Sequence, residues 1–151
     1  MHFYIIIILT LLIDQVTKLA IRANLALGEE MELWGFIPLL HIENIGSSGN
    51  MLHGQGRILA VLVLVLVAAA LYWRSRGKLK GKLMNVGVAL FIGGGVGNAI
   101  DRLLFNKVTD FLHLADSATM NLADVAVYAA FLCIIVSQIA VYFKPAADMK
   151  A

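Results

Sequence analysis

The sequence predicts an all-α membrane protein: a four-transmembrane-helix bundle carrying a small extracytoplasmic region with β-structure. Three observations support this. Hydrophobic residues make up 60% of the 151 and charged residues only 15%, whereas a soluble domain is about half apolar and about a quarter charged. Mean hydropathy is +0.84. The apolar residues gather into four runs, each near the ~20 residues that a helix needs to cross the hydrocarbon core. The charges between the runs are sorted by sign, as membrane topology requires. One integral membrane domain over residues 1–151 is the expected organisation.

The first span covers about residues 3–22 and is interrupted by Asp14 and Lys18. Met1 and His2 precede it with no Lys or Arg, and no small-x-small cleavage site closes it. It therefore reads as a retained span and not a removable signal. Residues 23–56 are too long for a plain turn. Within them Glu30-Met-Glu-Leu-Trp34 alternates polar and apolar, and Phe36-Ile-Pro-Leu-Leu-His-Ile42 is a second strand-like run. The pattern predicts a small sheet lying on the outer leaflet. The remaining spans are about 58–73, 83–100 and 123–143. The second is short, which places Gly56 and Arg57 at the interface. Tyr72, Trp73, Tyr142 and Phe143 form aromatic belts at span ends. Residues 145–151 read as a short disordered tail.

Arg74, Arg76, Lys78, Lys80 and Lys82 follow the second span with no acid among them, so that loop is expected in the cytoplasm. Residues 23–57 carry Glu29, Glu30, Glu32 and Glu43 against Arg57, and 101–124 also hold more acid than base. Both segments should face outward, which leaves both termini cytoplasmic. The basic loop should also touch anionic headgroups. A formal charge of +2 is too small to imply a nucleic-acid partner. Cys133 is the single cysteine, so no internal disulfide can form, and its apolar setting predicts a buried free thiol. The four His residues show no ligand spacing, and His41, His53 and His113 fall in outer loops. Neither a metal nor an organic cofactor is expected.

Ionisable groups at membrane depth are costly and are functional candidates by default. Asp101 follows the third span, Asp124 opens the fourth, and 22 residues lie between them. By the topology above, both sit at the outer boundary, where adjacent helices can bring them together. Two carboxylates in a poorly solvated site share a proton, giving one acid and one base. Such a pair can activate water and protonate a leaving amine. Spacing alone leaves two other readings open. Asp124 fits a helix N-terminus by capping and dipole, and Asp101 beside Arg102 fits an interfacial ion pair.

The neighbouring residues separate these readings. Asp101 ends Gly93-Gly-Gly-Val-Gly-Asn-Ala-Ile-Asp-Arg102, and Asp124 ends Asn121-Leu-Ala-Asp. The first span holds Asp14-Gln-Val-Thr-Lys18, the outer loop Asn44-Ile-Gly46, and Val108-Thr-Asp-Phe111 lies between the aspartates. In this order they resemble the boxes D-Q-x-x-K, N-x-G-A-A-F, G-G-x-x-G-N-x-x-D-R, V-x-D-F and F-N-x-A-D of the lipoprotein signal peptidases, or type II signal peptidases. Each box alone is weak. Five in order on a four-span chain are specific, and they run from the first span to the fourth.

The resemblance implies an intramembrane aspartic protease of the bacterial cytoplasmic membrane. Its substrate would be a prolipoprotein whose lipobox cysteine already bears diacylglycerol, cut just before that cysteine. Asp101 and Asp124 match the family's catalytic aspartates. Asn98 and Asn121 match asparagines beside them, whose amides could hold water or the substrate carbonyl. Asn44 matches a polar residue descending from the outer loop. Asp14 and Lys18 match the charged pair of the first span, and Arg102 follows the first catalytic aspartate as in the family. Gly46, Asp110 and Ala123 stand at box positions and belong with the supporting residues. The expected partners are the lipid-modified prolipoprotein and membrane lipids, with the protein acting as a monomer.

Some residues also have simpler roles. Asp14 and Lys18, four apart with the acid first, stack on one helix face and pair. Gly93 and Gly97 make a small-xxx-small face for close helix contact. The chain departs from the family at Ser47, Ser48 and Gly49, which replace two alanines and an aromatic, and at Met120, which replaces an aromatic. These changes remove bulk near the expected site and point to altered substrate fit, altered inhibitor sensitivity or a looser outer loop. Two other functions compete: a proton- or ion-relay protein, and a catalytically silent homologue that binds precursor or inhibitor. Both key aspartates lie at one surface, against the first, and the intact Asp101, Asp124, Asn98 and Asn121 argue against the second.

Overall fold

The computed structural model describes residues 2–46, 54–115 and 118–143. The departures at Ser47, Ser48 and Gly49, His53 and the tail 145–151 lie outside them. Four helices carry the apolar runs: α1 (His2–Asn24), α2 (Gly56–Ser75), α3 (Lys82–Phe105) and α4 (Leu122–Tyr142). All four are long and apolar enough to cross a membrane. Broad apolar faces remain exposed, including Leu62, Val65 and Leu66 on α2 and Phe131, Leu132 and Ile135 on α4. Such faces suit contact with lipid.

The third helix runs about one and a half turns beyond the expected end at Ile100. Asp101 and Arg102 therefore lie inside α3, not after it. The helix stops at Asn106, which adopts the left-handed conformation (φ 58°) and donates its N–H to the Arg102 carbonyl. Asn tolerates that conformation as a helix cap. The Asn106 side chain then ties α3 to the start of α2. Its Oδ1 accepts from the Arg57 N–H at 3.1 Å and its Nδ2 donates to the Gly54 carbonyl at 2.9 Å.

Helix α3 is the axis of the bundle. Just over half of its apolar window (56%) is buried by its neighbours, against 17% in each other helix. The glycine run explains how. Successive helical residues point about 100° apart, so three adjacent glycines face three different neighbours. A Cβ at Gly93 would lie 2.7 Å from Thr10 of α1, one at Gly94 2.5 Å from the Ala123 carbonyl of α4, and one at Gly95 3.0 Å from Val63 of α2. On α4 the buried stripe is equally small: Ala123, Ala126, Ala130 and Ser137. Cys133 lies just off that stripe, beside Gly87, and is half-buried instead of buried as the sequence predicted.

Four strands form one antiparallel sheet in chain order: β1 (Glu30–Leu33), β2 (Ile37–Asn44), β3 (Val108–Ala115) and β4 (Ala118–Met120). The first two are the strands expected from residues 30–42. The other two lie in the 102–123 stretch, where the sequence predicts only a connecting loop. Leu39 and Phe111 of the sheet pack with Ile21 and Leu25 from the end of α1, so the sheet closes over one end of the bundle. The β2–β3 register pairs Ile42 with Asp110 and Asn44 with Val108, which sets Asn44 beside Asp110.

Candidate active site

Asp14, Lys18 and Arg22 recur every four residues and share one face of α1. Asp14 and Lys18 are fully buried, and their side chains pair at 2.9 Å as expected. A buried charge must be matched by partners, and Asp14 is saturated. Its Oδ2 accepts from Lys18 and from the Gln15 amide at 3.1 Å. Its Oδ1 accepts the Ala123 N–H at 2.9 Å, a first-turn donor of α4 with no partner inside its own helix. Asp14 thus caps α4 from another helix, where the dipole favours an anion. This needs Gly97 opposite, because a Cβ there would fall 2.5 Å from Asp14 Oδ2.

Lys18 carries the network onward. Its Nζ donates to Asn98 Oδ1 at 2.8 Å and lies 3.5 Å from Asp101 Oδ2. The other end of Asn98 donates to Asp124 Oδ1 at 2.7 Å. The two aspartates are therefore joined through Lys18 and Asn98. Asp101 is completely buried. Its Oδ2 receives Arg22 Nη2 at 2.8 Å and the Thr109 N–H at 3.2 Å. Its Oδ1 is buried with no hydrogen-bond partner among the described residues. The ion pair considered from sequence, Asp101 with Arg102, is not the one formed. Arg102 lies within electrostatic range of Asp101, Asp110 and Asp124 but forms no ion pair among the described residues.

Asp124 is half-buried at the third position of α4 and forms a capping box with Asn121. Asn121 Oδ1 accepts the Asp124 N–H at 2.9 Å, and Asp124 Oδ2 accepts the Asn121 N–H at 3.3 Å. Capping and a place in the site thus coexist in one residue. Asn121 also donates from Nδ2 to Asp110 Oδ1 at 2.6 Å, while Asn44 donates to Asp110 Oδ2 at 3.0 Å. Asn44 in turn accepts the Gly46 N–H at 3.0 Å. Both ends of Asn98 and of Asn121 are committed within the protein, so each amide orients a carboxylate. Burial pushes the Asp110 carboxyl up to about 6, and the charge of Asp124 acts in the same direction. The hydrogen bonds from Asn44 and Asn121, and the charge of Lys18, oppose the rise.

Met120 pairs with Leu112 at the sheet edge and is half-buried. Three residues with no role assigned from the sequence also belong to the site. Gln15 bridges Asp14 to the Gly97 carbonyl at 3.1 Å, Thr109 donates its N–H to Asp101, and Arg22 binds both Asp101 and the Thr109 hydroxyl, the latter at 2.7 Å. Arg22 was legible as the third member of the stripe begun by Asp14 and Lys18. Thr109 was not, since it acts through its backbone. No cluster of three or more His, Cys, Asp or Glu suited to a metal ion forms among the described residues.

Fold and site together define a multi-pass membrane protein with an aspartate-centred site under a small sheet. The fold matches a bacterial membrane enzyme solved by the in meso method, with TM-score 0.81 and 24% identity, over 92% of this chain and 88% of that one. The family model described as Signal peptidase (SPase) II matches residues 6–140. The lipoprotein signal peptidase of Bacillus pumilus is 36% identical over 114 residues, 75% of this chain and 74% of that protein. That of Maridesulfovibrio salexigens is 32% identical over 143 residues, 88% of this chain and 92% of that protein. The chain belongs to the signal peptidase II family.

Proposed function

We infer that this chain is an aspartic endopeptidase that removes signal peptides from diacylglyceryl-modified prolipoproteins, cutting before the lipidated cysteine, with Asp101 and Asp124 as its catalytic pair. Family membership and relatives named lipoprotein signal peptidase support the activity. The observation that carries the site is the coupling of two carboxylates through Lys18 and Asn98, with one buried Asp101 oxygen left unpartnered. Each carboxylate oxygen carries two lone pairs, so Asp124 can still take a proton beside its hydrogen bonds from Asn98 and Asn121, and Asp101 can do so at its unpartnered oxygen.

In the reaction, one carboxylate accepts a proton from water as the water oxygen bonds to the scissile carbonyl carbon. The other donates its proton to the carbonyl oxygen, giving a tetrahedral diol. The C–N bond then breaks as nitrogen takes the first proton, and the second carboxylate recovers one from the diol. Asn98, Asn121, Asn44 and Asp110 orient the carboxylates, while Asp14, Lys18 and Ala123 hold α1 against the start of α4. The sheet-bearing end faces outward and both termini lie in the cytoplasm, as the basic 74–82 loop supports. The substrate enters sideways between helices with its acyl chains still in the bilayer. The enzyme acts as a monomer on this reading.

The test is cleavage of a diacylglyceryl-modified prolipoprotein in detergent by wild type, Asp101→Asn and Asp124→Asn. Wild type should cut before the lipidated cysteine, and each variant should lose at least about a thousandfold in rate while remaining folded. Full activity in either folded variant would exclude the pair. No cleavage by folded wild type would favour a silent, precursor-binding homologue.

A further inference from the structure

We propose that the end of the bundle remote from the sheet binds one anionic phospholipid, with an acyl chain between α1 and α3 and the headgroup phosphate on Lys82 and His2. The proposal is independent of which acids act in cleavage.

The first turns of α1 and α3 lie side by side at that end and leave a groove of about 460 Å³ between them. That volume is in the range of small-ligand sites. His2 and Lys82, the first residues of the two helices, stand at its outer end. Phe3, Ile6 and Val86 line it toward the membrane interior. The order from polar group to apolar wall is that of a phospholipid at a bilayer boundary. Tyr4, Ile5 and Leu83, on the same turns, are exposed, so the groove is flanked by surface that suits lipid and not a soluble anion.

The walls are fixed from within the protein. Arg74, in the last turn of α2, lays its guanidinium 3.8 Å over the Phe3 ring and donates from Nη1 to Asn85 Oδ1. Asn85 Nδ2 donates to the Leu79 carbonyl at 3.0 Å and the Gly81 carbonyl at 2.8 Å. One arginine thus holds both sides of the groove, and both ends of the Asn85 amide are committed. The groups left for a ligand are His2 and Lys82. Both are exposed, and neither has an ion-pair partner among the described residues.

Charge selects the headgroup. Arg74, Arg76, Lys78, Lys80 and Lys82 gather at this end, and none of the described acids lies there. Such a segment attracts anionic lipid by about fivefold per base. The attraction is spread over the loop, but of the five bases only Lys82 lines the groove. With the basic end in the cytoplasm the lipid belongs to the inner leaflet, and binding itself does not depend on that orientation.

The test titrates the full chain, in an uncharged detergent, with phosphatidylglycerol, with phosphatidylcholine of the same chains, and with chain-free glycerophosphoglycerol. Native mass spectrometry and melting temperature are the readouts. Salt is held at ~0.5 M, where attraction between exposed charges is screened beyond a few ångströms. Phosphatidylglycerol should bind one to one and raise the melting temperature, phosphatidylcholine should bind more weakly, and glycerophosphoglycerol should have no effect. Lys82→Gln should weaken phosphatidylglycerol binding at least about tenfold, as the loss of a charge-assisted hydrogen bond implies. Lys80→Gln, the same charge change outside the groove, should weaken it less than about twofold. Val86→Phe should fill the groove and remove the site. Equal losses in the two lysine variants would reduce the site to a diffuse basic surface and overturn the proposal. Equal binding of phosphatidylcholine, or a full response to glycerophosphoglycerol, would overturn it too. Should Val86→Phe fail to fold, the lysine variants decide alone, since both side chains are exposed.

Discussion

Lys18 and Asn98, 80 residues apart in sequence, meet at 2.8 Å in the interior of the bundle. The ammonium fixes which way the amide points. With Oδ1 turned to Lys18, Nδ2 must face Asp124, which it reaches at 2.7 Å. A cation on α1 thereby aims an acid on α4 through a neutral residue of α3.

Asn98→Ala should break that chain. Asp124 loses a donor and drifts from its position, so cleavage should slow about 10- to 100-fold. Lys18 is left short of an acceptor, which costs about 1–3 kcal/mol. Steady-state cleavage and thermal unfolding in detergent measure the two effects. Wild-type values in both would show that the amide is not the link.

Lys18→Met should be more damaging to stability than to any single contact. It leaves Asp14 buried with only neutral donors and Asp101 with the Thr109 N–H and a single cation, Arg22. Removing one partner from a buried ion pair costs about 3–5 kcal/mol. A drop in melting temperature is the readout, and no drop would mean that the buried acids need no cation.

Asp110 gives a pH dependence with a definite sign. Its carboxyl is raised from 3.8 to about 6, chiefly by burial. Folding therefore favours the protonated form. The associated stability is fully present below pH 3.8 and is lost as pH rises through about 6. The displacement corresponds to on the order of 3 kcal/mol as a ceiling. Asp110→Asn should flatten the melting temperature between these limits compared with wild type, and identical slopes in the two proteins would refute the assignment.

Gly97→Ala and Gly95→Ala should differ although they are neighbours on one helix. A Cβ at Gly97 would fall 2.5 Å from the Asp14 carboxylate, which is already committed to Lys18 and Ala123. A Cβ at Gly95 would meet the Val63 side chain at 3.0 Å, which can turn away, and lie in ordinary contact with Val67 at 3.9 Å. Gly97→Ala should lose about 1–3 kcal/mol and much of its activity, with Gly95→Ala close to wild type. Equal effects would mean that Asp14 can move without consequence.

Much of this architecture is written locally. Span lengths follow from runs of apolar residues, and the β1 and β2 strands from alternation at residues 30–42. The Asp14–Lys18 pair follows from their four-residue spacing and the Asn121–Asp124 capping box from three. The β3 and β4 strands are not legible in this way because Val108–Ala115 holds polar residues, Asp110 among them, that only the rest of the site satisfies, and Ala118–Met120 is only three residues long.

The pairing of charges could not be read in this way. Asp101 and Arg102 are adjacent in sequence, yet consecutive helical side chains diverge by about 100°, and Asp101 turns to Lys18 and Arg22 of α1. Asp110 meets Asn44 only because of the β2–β3 register, and Asp14 caps α4 only because Gly97 lets α1 approach. Periodicity and hydropathy act within a segment, so the chain alone sets its helices and its supply of acids and bases. Which acid is bound by which base depends on how helices pack around the glycines of α3, and that is a property of the assembled bundle.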